Sequence, residues 1–560
     1  ARVANAYEGV EDGDRSHDAV ARHYERAGEL APALEAYREG ADRALEVYAH
    51  EEALENYERA LELARDLDRS DALVETLEAI GRTHYLAGEY DESDRYLEYL
   101  RDRTDDPKVI QRSYRYQAEM AIDRGDFDAS DEYARTGIEV VDEPNRVSCR
   151  LYGHLGWTQM LRGNLDAAAG RFEDQHHLAE RLDDDDRLGG AYHNLGTIEY
   201  HRGEVDAAIN LLERAVDANE RSGAIRDAAA SYNNLSMAYD RAGDVEGARA
   251  ATETALEYAR EVGDRSQEVT YMGNLAGWYY EEGEPERARE LWARGLEAAR
   301  TLGLRDTEGN LLLSSGIYHL DRCDFETARE QLEAALDLIT DVENTRMIAA
   351  SRCELSRLEL YGRRFDRARE HARAAVEAGQ GTAPEMMAEA QLRMGDVELA
   401  AGNVDAALAA YRESLELATG CGNLHFQVYA RTRLGLAHAE RGDLDAALDP
   451  ARTAMADATD VGGLEKVVRA SIALARVERL AGNYDEAATR LDEGAERVSE
   501  IGATLLESWI HLERGLLARD RGDADAVDRI EAAKTFAADR GVELVEHFAG
   551  DALVEERSRA

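Results

Sequence analysis

Hydrophobic and polar positions along the chain follow a helical period, and short polar turns interrupt it at regular intervals. Within residues 151–541 most of these turns hold a glycine, which accepts the positive φ angles at which a chain reverses. The glycines are Gly163, Gly203, Gly243, Gly283, Gly402, Gly442, Gly482 and Gly522. They lie 40 residues apart, with Cys323 and Arg363 in the two middle slots and one residue lost before Gly402. Self-similarity at this period predicts a stacked repeat protein.

Two columns of small residues keep the same register as the turns. Five residues after the turns come Ala168, Ala208, Ala248, Ala288, Ala328, Ala368, Ala407, Ala447, Ala487 and then Val527. Seven residues before the turns come Gly156, Gly196, Ser236, Ala276, Gly316, Ser356, Gly395, Gly435, Ala475 and Gly515. We expect the two columns to face each other where two helices cross, because larger side chains would hold the backbones apart. Each repeat is therefore predicted to be a helical hairpin that completes its burial against its neighbours.

The repeat pattern resembles the tetratricopeptide (TPR) signature. The resemblance rests on Tyr192, Leu195, Gly196, Gly203, Ala208 and Ala215, and on Tyr232, Leu235, Ser236, Gly243, Ala248 and Ala255. It implies an all-α, right-handed α-solenoid of about 13 helix-turn-helix repeats. A 40-residue repeat is similar to the long-helix TPRs of kinesin light chain, cell-polarity scaffolds and bacterial peptide sensors. HEAT repeats share the length, but the Gly and Ala columns and the presence of only six prolines argue against them.

The regularity of the pattern predicts four segments. They are atypical helical repeats at 1–70, less regular TPR-like repeats at 71–146, the regular array at 147–541 and a capping helix at 542–560. In the first segment a turn at Tyr48–His50 follows Gly28 by only about 20 residues, so one extra helix is expected, as is common in terminal repeats. Near Gln380–Pro384 the lost residue indicates either a bend or a neutral loop deletion.

The first segment also resembles the start of the TPR region in STAND-class signal-transduction ATPases, including maltose-type activators. The residues that carry this resemblance are Ala21, His23, Tyr24, Ala27, Gly28, Tyr37, Ala41, Ala44, Tyr48, Ala49, Glu52, Ala53, Tyr57, Ala60 and Leu61. In that family a nucleotide-binding module precedes the repeats. A G-x-x-x-x-G-K-[ST] phosphate-binding loop does not occur in these 560 residues.

The net charge of the chain is more informative about its source and partners than any sequence motif. The chain has 116 acidic and 67 basic residues, a net charge of −49, and only three lysines, Lys108, Lys466 and Lys534. An acidic surface along the whole chain is typical of a protein that stays soluble in concentrated salt, so we expect a halophilic source. Such a negative field argues against nucleic-acid binding by this chain. The lack of an apolar run near 18 residues predicts no membrane span.

Sequence motifs give no support for catalysis, a cofactor or a metal. Four scattered cysteines, Cys149, Cys323, Cys353 and Cys421, form no CxxC pair and fit buried positions in a reducing cytoplasm. His176 and His177 are adjacent on a predicted helix and are interpreted as solvated side chains. The acidic run Asp183–Asp186 lacks EF-hand spacing, which favours a solvated turn. The four tryptophans are expected in the core.

One column has the chemistry of a partner-binding surface. Two residues before the small residue, the first helix carries Asn194, Asn234 and Asn274 and then Ser314. In the resembling families this helix lines the concave groove, where amides that donate and accept can hold a peptide main chain. The candidate site is His193, Asn194, Asn233, Asn234, Tyr239, Asn274, Tyr279, Tyr280 and Ser314. The alternative is that the asparagines tie adjacent helices together through buried hydrogen bonds.

These observations favour a non-enzymatic, cytoplasmic scaffold that binds a protein or peptide ligand in its concave groove. The resemblance to STAND proteins adds the hypothesis that the array is the sensor arm of a signal-transduction regulator in a halophile. A freestanding or self-associating assembly scaffold, which would form a homo-oligomer, and a peptide-sensing regulator are the alternatives. A hidden enzyme is a further alternative, but no catalytic constellation supports it.

Overall fold

The computed structural model describes residues 17–46, 49–341, 344–380 and 384–559, and in these residues it has helices and no strands. The all-α prediction is therefore confirmed. The helices are α1 (His17–Arg26), α2 (Leu30–Glu46), α3 (His50–Asp66), α4 (Ser70–Leu86), α5 (Tyr90–Arg101), α6 (Pro107–Asp123), α7 (Phe127–Glu139), α8 (Arg146–Leu161), α9 (Leu165–Leu182), α10 (Asp185–Arg202), α11 (Val205–Ser222), α12 (Ile225–Arg241), α13 (Val245–Glu261), α14 (Arg265–Glu281), α15 (Pro285–Leu302), α16 (Arg305–Asp321), α17 (Phe325–Asp341), α18 (Thr345–Tyr361), α19 (Phe365–Gly379), α20 (Pro384–Ala400), α21 (Val404–Gly420), α22 (Leu424–Glu440), α23 (Leu444–Val461), α24 (Leu464–Leu480), α25 (Tyr484–Ile501), α26 (Thr504–Arg521), α27 (Ala526–Asp539) and α28 (Glu543–Arg559).

These described helices form 13 hairpins once α3 and α28 are set aside, which agrees with the predicted repeat number. The turn inside each hairpin holds one residue with positive φ, and where this residue is glycine the angle lies between +73° at Gly125 and +84° at Gly283. Cys323 and Arg363 adopt the same conformation, at +63° and +52°, although their side chains make it less favourable. Part of the predicted turn at Tyr48–His50, namely Tyr48, lies outside the described residues, as do residues 381–383 near the predicted irregularity.

The two small-residue columns allow the helices of each hairpin to cross closely. A Cβ added to Gly395 would lie 2.4 Å from the Tyr411 ring, and one added to Gly156 would lie 2.3 Å from the Phe172 ring. Where the column holds serine, as at Ser356, the hydroxyl donates to the Ala368 carbonyl at 2.9 Å. The column seven residues before the turn therefore packs against residues five and nine positions after the turn, which extends the predicted pairing.

The chain divides into two compact units, residues 1–198 and 199–560. The first unit holds α1–α9, with an aromatic and aliphatic core that includes Tyr57, Leu77, Ile80 and Leu97. The segment boundaries that the sequence predicts at about residues 70, 146 and 541 stay predictions. The helix α3 occupies the segment where one extra helix was expected.

Within the second unit the first helices of successive hairpins also contact one another. The helices α18, α20, α22, α24, α26 and α28 form a series in which each contacts the next, and α28, which belongs to no hairpin, also contacts α18. We call this set of six helices the inner ring. A continuous apolar cluster supports its closure, since Leu360 and Tyr361 of α18 share it with Leu544 and Val545 of α28. The helix predicted as a cap therefore completes a ring.

Hairpins about five repeats apart also touch each other in the second unit. The turn at Gly203 meets the turn at Cys421 and Gly422, and the turn at Gly243 meets Val461. The helices α16 and α26 of these distant hairpins also contact each other. We call these contacts between distant turns the turn-to-turn interface. Backbone approaches this closely only because the residue on one side is glycine.

Candidate functional site

The structure separates the predicted asparagine column into two kinds of position. Asn194 is buried, and its side-chain amide donates to Oε1 of Gln175 on the second helix of the preceding hairpin, at 2.9 Å. Asn274 instead donates to Oδ1 of Asn233 at 2.8 Å, which joins the first helices α14 and α12. Asn194 therefore acts as a buried link between helices, whereas the Asn233–Asn274 pair lies on the face that first helices share.

The three candidate tyrosines are also divided between two faces. Tyr239 and Tyr279 donate to Glu213 and Glu253 at 2.8 and 2.9 Å, each on the second helix of the preceding hairpin. Tyr280 donates to Oδ2 of Asp321 at 2.7 Å, on the next first helix. Burial, followed by the charge of Asp321, raises the pKa of Tyr280 well above its usual value. Only Tyr280 therefore points toward the neighbouring first helix.

The remaining candidates lie in half-buried positions. Asn234 and Ser314 keep part of their surface in contact with solvent. Burial lowers the pKa of His193 to about 4, so its imidazole is neutral near pH 7. The structure therefore does not gather the nine predicted residues into one site.

The asparagine column continues beyond Ser314 as a column of four charged residues and one alanine, which sequence reasoning missed. The same position holds Glu354, Arg393, Arg433, Ala473 and Glu513 in the later hairpins. All five residues belong to helices of the inner ring. The repeat spacing alone could have identified them, because each lies two residues before the small residue of its first helix.

Ion pairs link this charged column across neighbouring inner helices. Arg393 lies 3.2 Å from Glu354 and 3.5 Å from Asp396, and Arg433 lies 2.7 Å from Asp396. Tyr411 also donates to Asp396, at 2.9 Å. Buried charges need such partners, because an unpaired charge in a low-dielectric interior costs several kcal/mol.

A second part of the charged network reaches the earlier hairpins. Arg357 lies 2.9 Å from Asp321 and 3.1 Å from Glu354. Burial raises the pKa of Asp321, despite the opposing charge of Arg357. Burial would also raise the pKa of Glu465, but Arg469 and Arg357 outweigh it and lower this pKa to about 2.

The inner ring surrounds a cavity of about 300 Å³. All six helices of the ring contribute to its lining. One part of the wall is apolar and includes Leu506, Trp509, Leu544 and Phe548. The other part holds Arg357, Arg433, Arg469 and Arg476 together with Asp396, Glu440 and Glu513. Apolar walls with a few convergent polar groups are typical of small-molecule sites.

In the first unit, His176 and His177 lie near a third potential metal ligand, Glu180, which the sequence analysis did not consider. Ligand atoms of His176, His177 and Glu180 all lie within 4.8 Å of one another. Each histidine is 3.7 Å from Glu180, and the ring of His176 packs on Tyr192. The three side chains meet because residues i and i+4 share a helix face and His177 lies beside them. Since His177 and Glu180 are exposed, the cluster fits a solvated helix surface.

Comparison with known proteins identifies the type of repeat. Residues 187–261, 227–301 and 386–460 match the family model described as tetratricopeptide repeat. The chain is thus an all-α solenoid of helical-hairpin repeats, and in these stretches the repeats are similar to tetratricopeptide repeats. A search among curated proteins finds no match.

Among solved structures, a chain of the Cut9–Hcn1 complex shows the same architecture. The APC/C hetero-tetramer Cut9–Hcn1 contains a chain with 14% identity and a TM-score of 0.53, over 93% of this chain and 98% of that one. BtubC (BKLC) from P. vanneervenii has 22% identity and a TM-score of 0.34, over 38% and 92%. A Rap protein complexed with competence and sporulation factor has 13% identity and a TM-score of 0.43, over 70% and 99%. The likeness in fold rests on the first of these.

No helix of the described residues is both long enough and apolar enough to cross a bilayer.

Proposed function

We propose that this chain is a non-enzymatic interaction scaffold that binds a protein or peptide along the first helices α12, α14 and α16. The observation that carries the proposal is the hydrogen bond between Asn274 and Asn233. It uses one N–H of Asn274 and the carbonyl oxygen of Asn233. Each side-chain amide has a second functional group, so the pair offers an acceptor on Asn274 and a donor on Asn233. An extended peptide main chain needs this combination.

The repeated architecture supports the same function. Stacked hairpins present a long surface of similar helices, and such surfaces bind extended partners. Both asparagines are half-buried, so they are held in place while part of each stays accessible. The chain with the same fold in the Cut9–Hcn1 structure is part of a complex that is named a hetero-tetramer.

The experiment compares two asparagines of the same column. Partners are captured from a high-salt lysate of the source organism on the immobilised chain and identified by mass spectrometry. We expect Asn274→Ala to lose the captured protein while keeping its helicity and melting temperature. The matched control is Asn194→Ala, which removes a buried amide bonded to Gln175 and should lower stability while keeping the partner. Equal capture by Asn274→Ala and the parent would contradict the proposal.

A finer proposal concerns the biological setting. The resemblance of residues 21–61 to STAND proteins and the net charge of −49 support a sensor arm in a halophilic signalling protein. In that arrangement a ligand on the array would release an ATPase module. A reading frame that continues upstream into a phosphate-binding loop would support this setting, and an upstream stop codon would favour a freestanding scaffold.

A further inference from the structure

The cavity of the inner ring has two chemically different sides. Trp509, Leu544 and Phe548 come from α26 and α28, and together with Leu506 they form an apolar wall. Arg433 and Arg476 come from α22 and α24, and their side chains are 21% and 20% exposed. These two guanidinium groups therefore remain partly accessible in an otherwise buried network. A molecule in the cavity would contact apolar carbon and positive charge at the same time.

The lining of the cavity contains paired charges. It holds four arginines and three carboxylates, and Asp321 and Glu465, which lie outside the lining, pair with Arg357 and Arg469. The carboxylates are already engaged. Asp396 accepts from Arg433 and Tyr411, Glu440 accepts from Arg476, and Glu513 accepts from Arg479. Arg433 and Arg476 each keep further N–H groups beyond these bonds, and the remaining donors suit a ligand that carries an acceptor.

Several buried polar atoms at this site lack a hydrogen bond of good geometry. Among the described residues they include Arg357 Nε, Arg469 Nη2 and Arg476 Nε, although the first two lie 3.1 Å from Glu354 and 2.5 Å from Glu465. Arg357 and Arg469 are themselves more than nine-tenths buried. One acceptor, Oε1 of Glu513, is likewise unpartnered and lies 3.6 Å from Arg476 Nε. A buried donor without a hydrogen bond is costly, so a ligand acceptor that reaches Arg476 Nε would stabilise this network.

We propose that this cavity binds a small amphipathic carboxylic acid. Its carboxylate pairs with Arg433 and Arg476, and its apolar body lies against Trp509, Leu544 and Phe548. The size fits, because a cavity of about 300 Å³ is at the lower end of the range for small-ligand sites. This site is separate from the Asn233–Asn274 pair and does not depend on the proposed protein partner.

The first test uses three probes that share one tail and differ in head group. Octanoate, 1-octanol and octyltrimethylammonium are titrated into the full chain in molar KCl, and heat and melting temperature are recorded. We expect octanoate to bind with 1:1 stoichiometry and at least about tenfold more tightly than 1-octanol, because hydrogen bonds to charged groups are the stronger ones. The cation should bind least. Equal affinity for octanoate and 1-octanol, or no saturable binding, would overturn the proposal.

The second test uses two arginines of the same helix. Arg433 lines the cavity, whereas Arg431 pairs with Asp457 on α23, at 2.6 Å. We expect Arg433→Gln to weaken octanoate binding by about tenfold and to leave 1-octanol binding unchanged. Arg431→Gln should leave both unchanged. The same loss in both variants would show that the carboxylate does not bind at the cavity.

A third variant tests the proposed site independently if Arg433→Gln fails to fold. Ala400 is half-buried and lines the cavity, so Ala400→Leu fills part of it without removing an ion pair. Folding is checked by circular dichroism. We expect this variant to lose octanoate binding while it retains its helicity. Unchanged octanoate binding in folded Ala400→Leu would place the ligand elsewhere and overturn the assignment.

Discussion

The Lys466 ammonium lies 2.8 Å from the Glu281 carboxylate, although 185 residues separate them in the sequence. Lys466 is one of only three lysines and is 4% exposed. Burial alone would lower its pKa, but Glu281, Tyr429 and Asp240 outweigh this and raise it. A parallel contact joins His425 to the carbonyl of Asp240, at 2.9 Å and again across 185 residues. Both contacts belong to the turn-to-turn interface of the second unit.

A pair of glycine substitutions tests this interface. Gly243 and Gly442 occupy the same turn position, with φ of +82° and +80°. A Cβ on Gly243 would lie 2.8 Å from Cα of Val461, whereas a Cβ on Gly442 would meet nothing within 4 Å. We expect Gly442→Ala to cost about 1–2 kcal/mol through its backbone conformation. Gly243→Ala should cost about 1–3 kcal/mol more through overpacking.

The difference between the two glycine variants is measured by denaturant unfolding in molar salt. Because both variants share the strained conformation, their difference reports the neighbouring turn alone. Equal losses of stability would show that Gly243 and Val461 do not meet in solution.

The pH dependence of stability should include a contribution from His193. Its pKa is about 4 in the folded chain and about 6.5 in an unfolded chain. A lowered pKa gives stability that is complete above pH 6.5 and is lost as pH falls through 4. Relative to His193→Gln, the parent should lose up to about 3 kcal/mol over this window. Above pH 7 the free energies of unfolding of the two proteins should differ by a constant amount. The same constant difference down to pH 4 would contradict the lowered pKa of His193.

Salt should stabilise the fold strongly. With a net charge of −49, the folded chain repels itself, and salt screens charges that lie about 10 Å or more apart at 0.1 M. We expect the melting temperature to fall when molar KCl is replaced by millimolar KCl. Equal melting temperatures under the two conditions would contradict this, and sodium chloride in place of potassium chloride controls for a specific ion effect.

The hairpin architecture was predictable because each hairpin repeats the same local requirements. Gly203 and its equivalents mark the turns, and the columns of Gly395 and Ala407 mark the helix crossings. The right-handed winding stays a prediction. The ring closure was not predictable, because it depends on small rotations that accumulate over about five hairpins. Gly243 and Gly442 look identical in sequence, and only the structure shows which one faces another turn.

The candidate site was predictable in part. The asparagine column was correctly placed on the first helices, but the sequence could not distinguish Asn194, which bonds back to Gln175, from Asn274, which bonds to the next first helix. The charged continuation of this column at Arg393 and Arg433 was visible in the spacing. The role of this charged column depends on its burial, which the spacing does not show, because an arginine on a helix is usually exposed to solvent. Only the closure of the inner ring makes Arg433 part of a cavity lining.

The most direct test of the turn-to-turn interface is a double-mutant cycle on Lys466 and Glu281. The free energy of unfolding is measured in molar KCl for the parent, Lys466→Gln, Glu281→Gln and the double variant. Glu282→Gln replaces Glu281→Gln in a control cycle, because Glu282 pairs with Arg249 instead. If the distant turns pack together, Lys466 and Glu281 show a coupling of about 0.5–3 kcal/mol, while the control cycle is additive. Additivity within about 0.5 kcal/mol in both cycles would contradict the account.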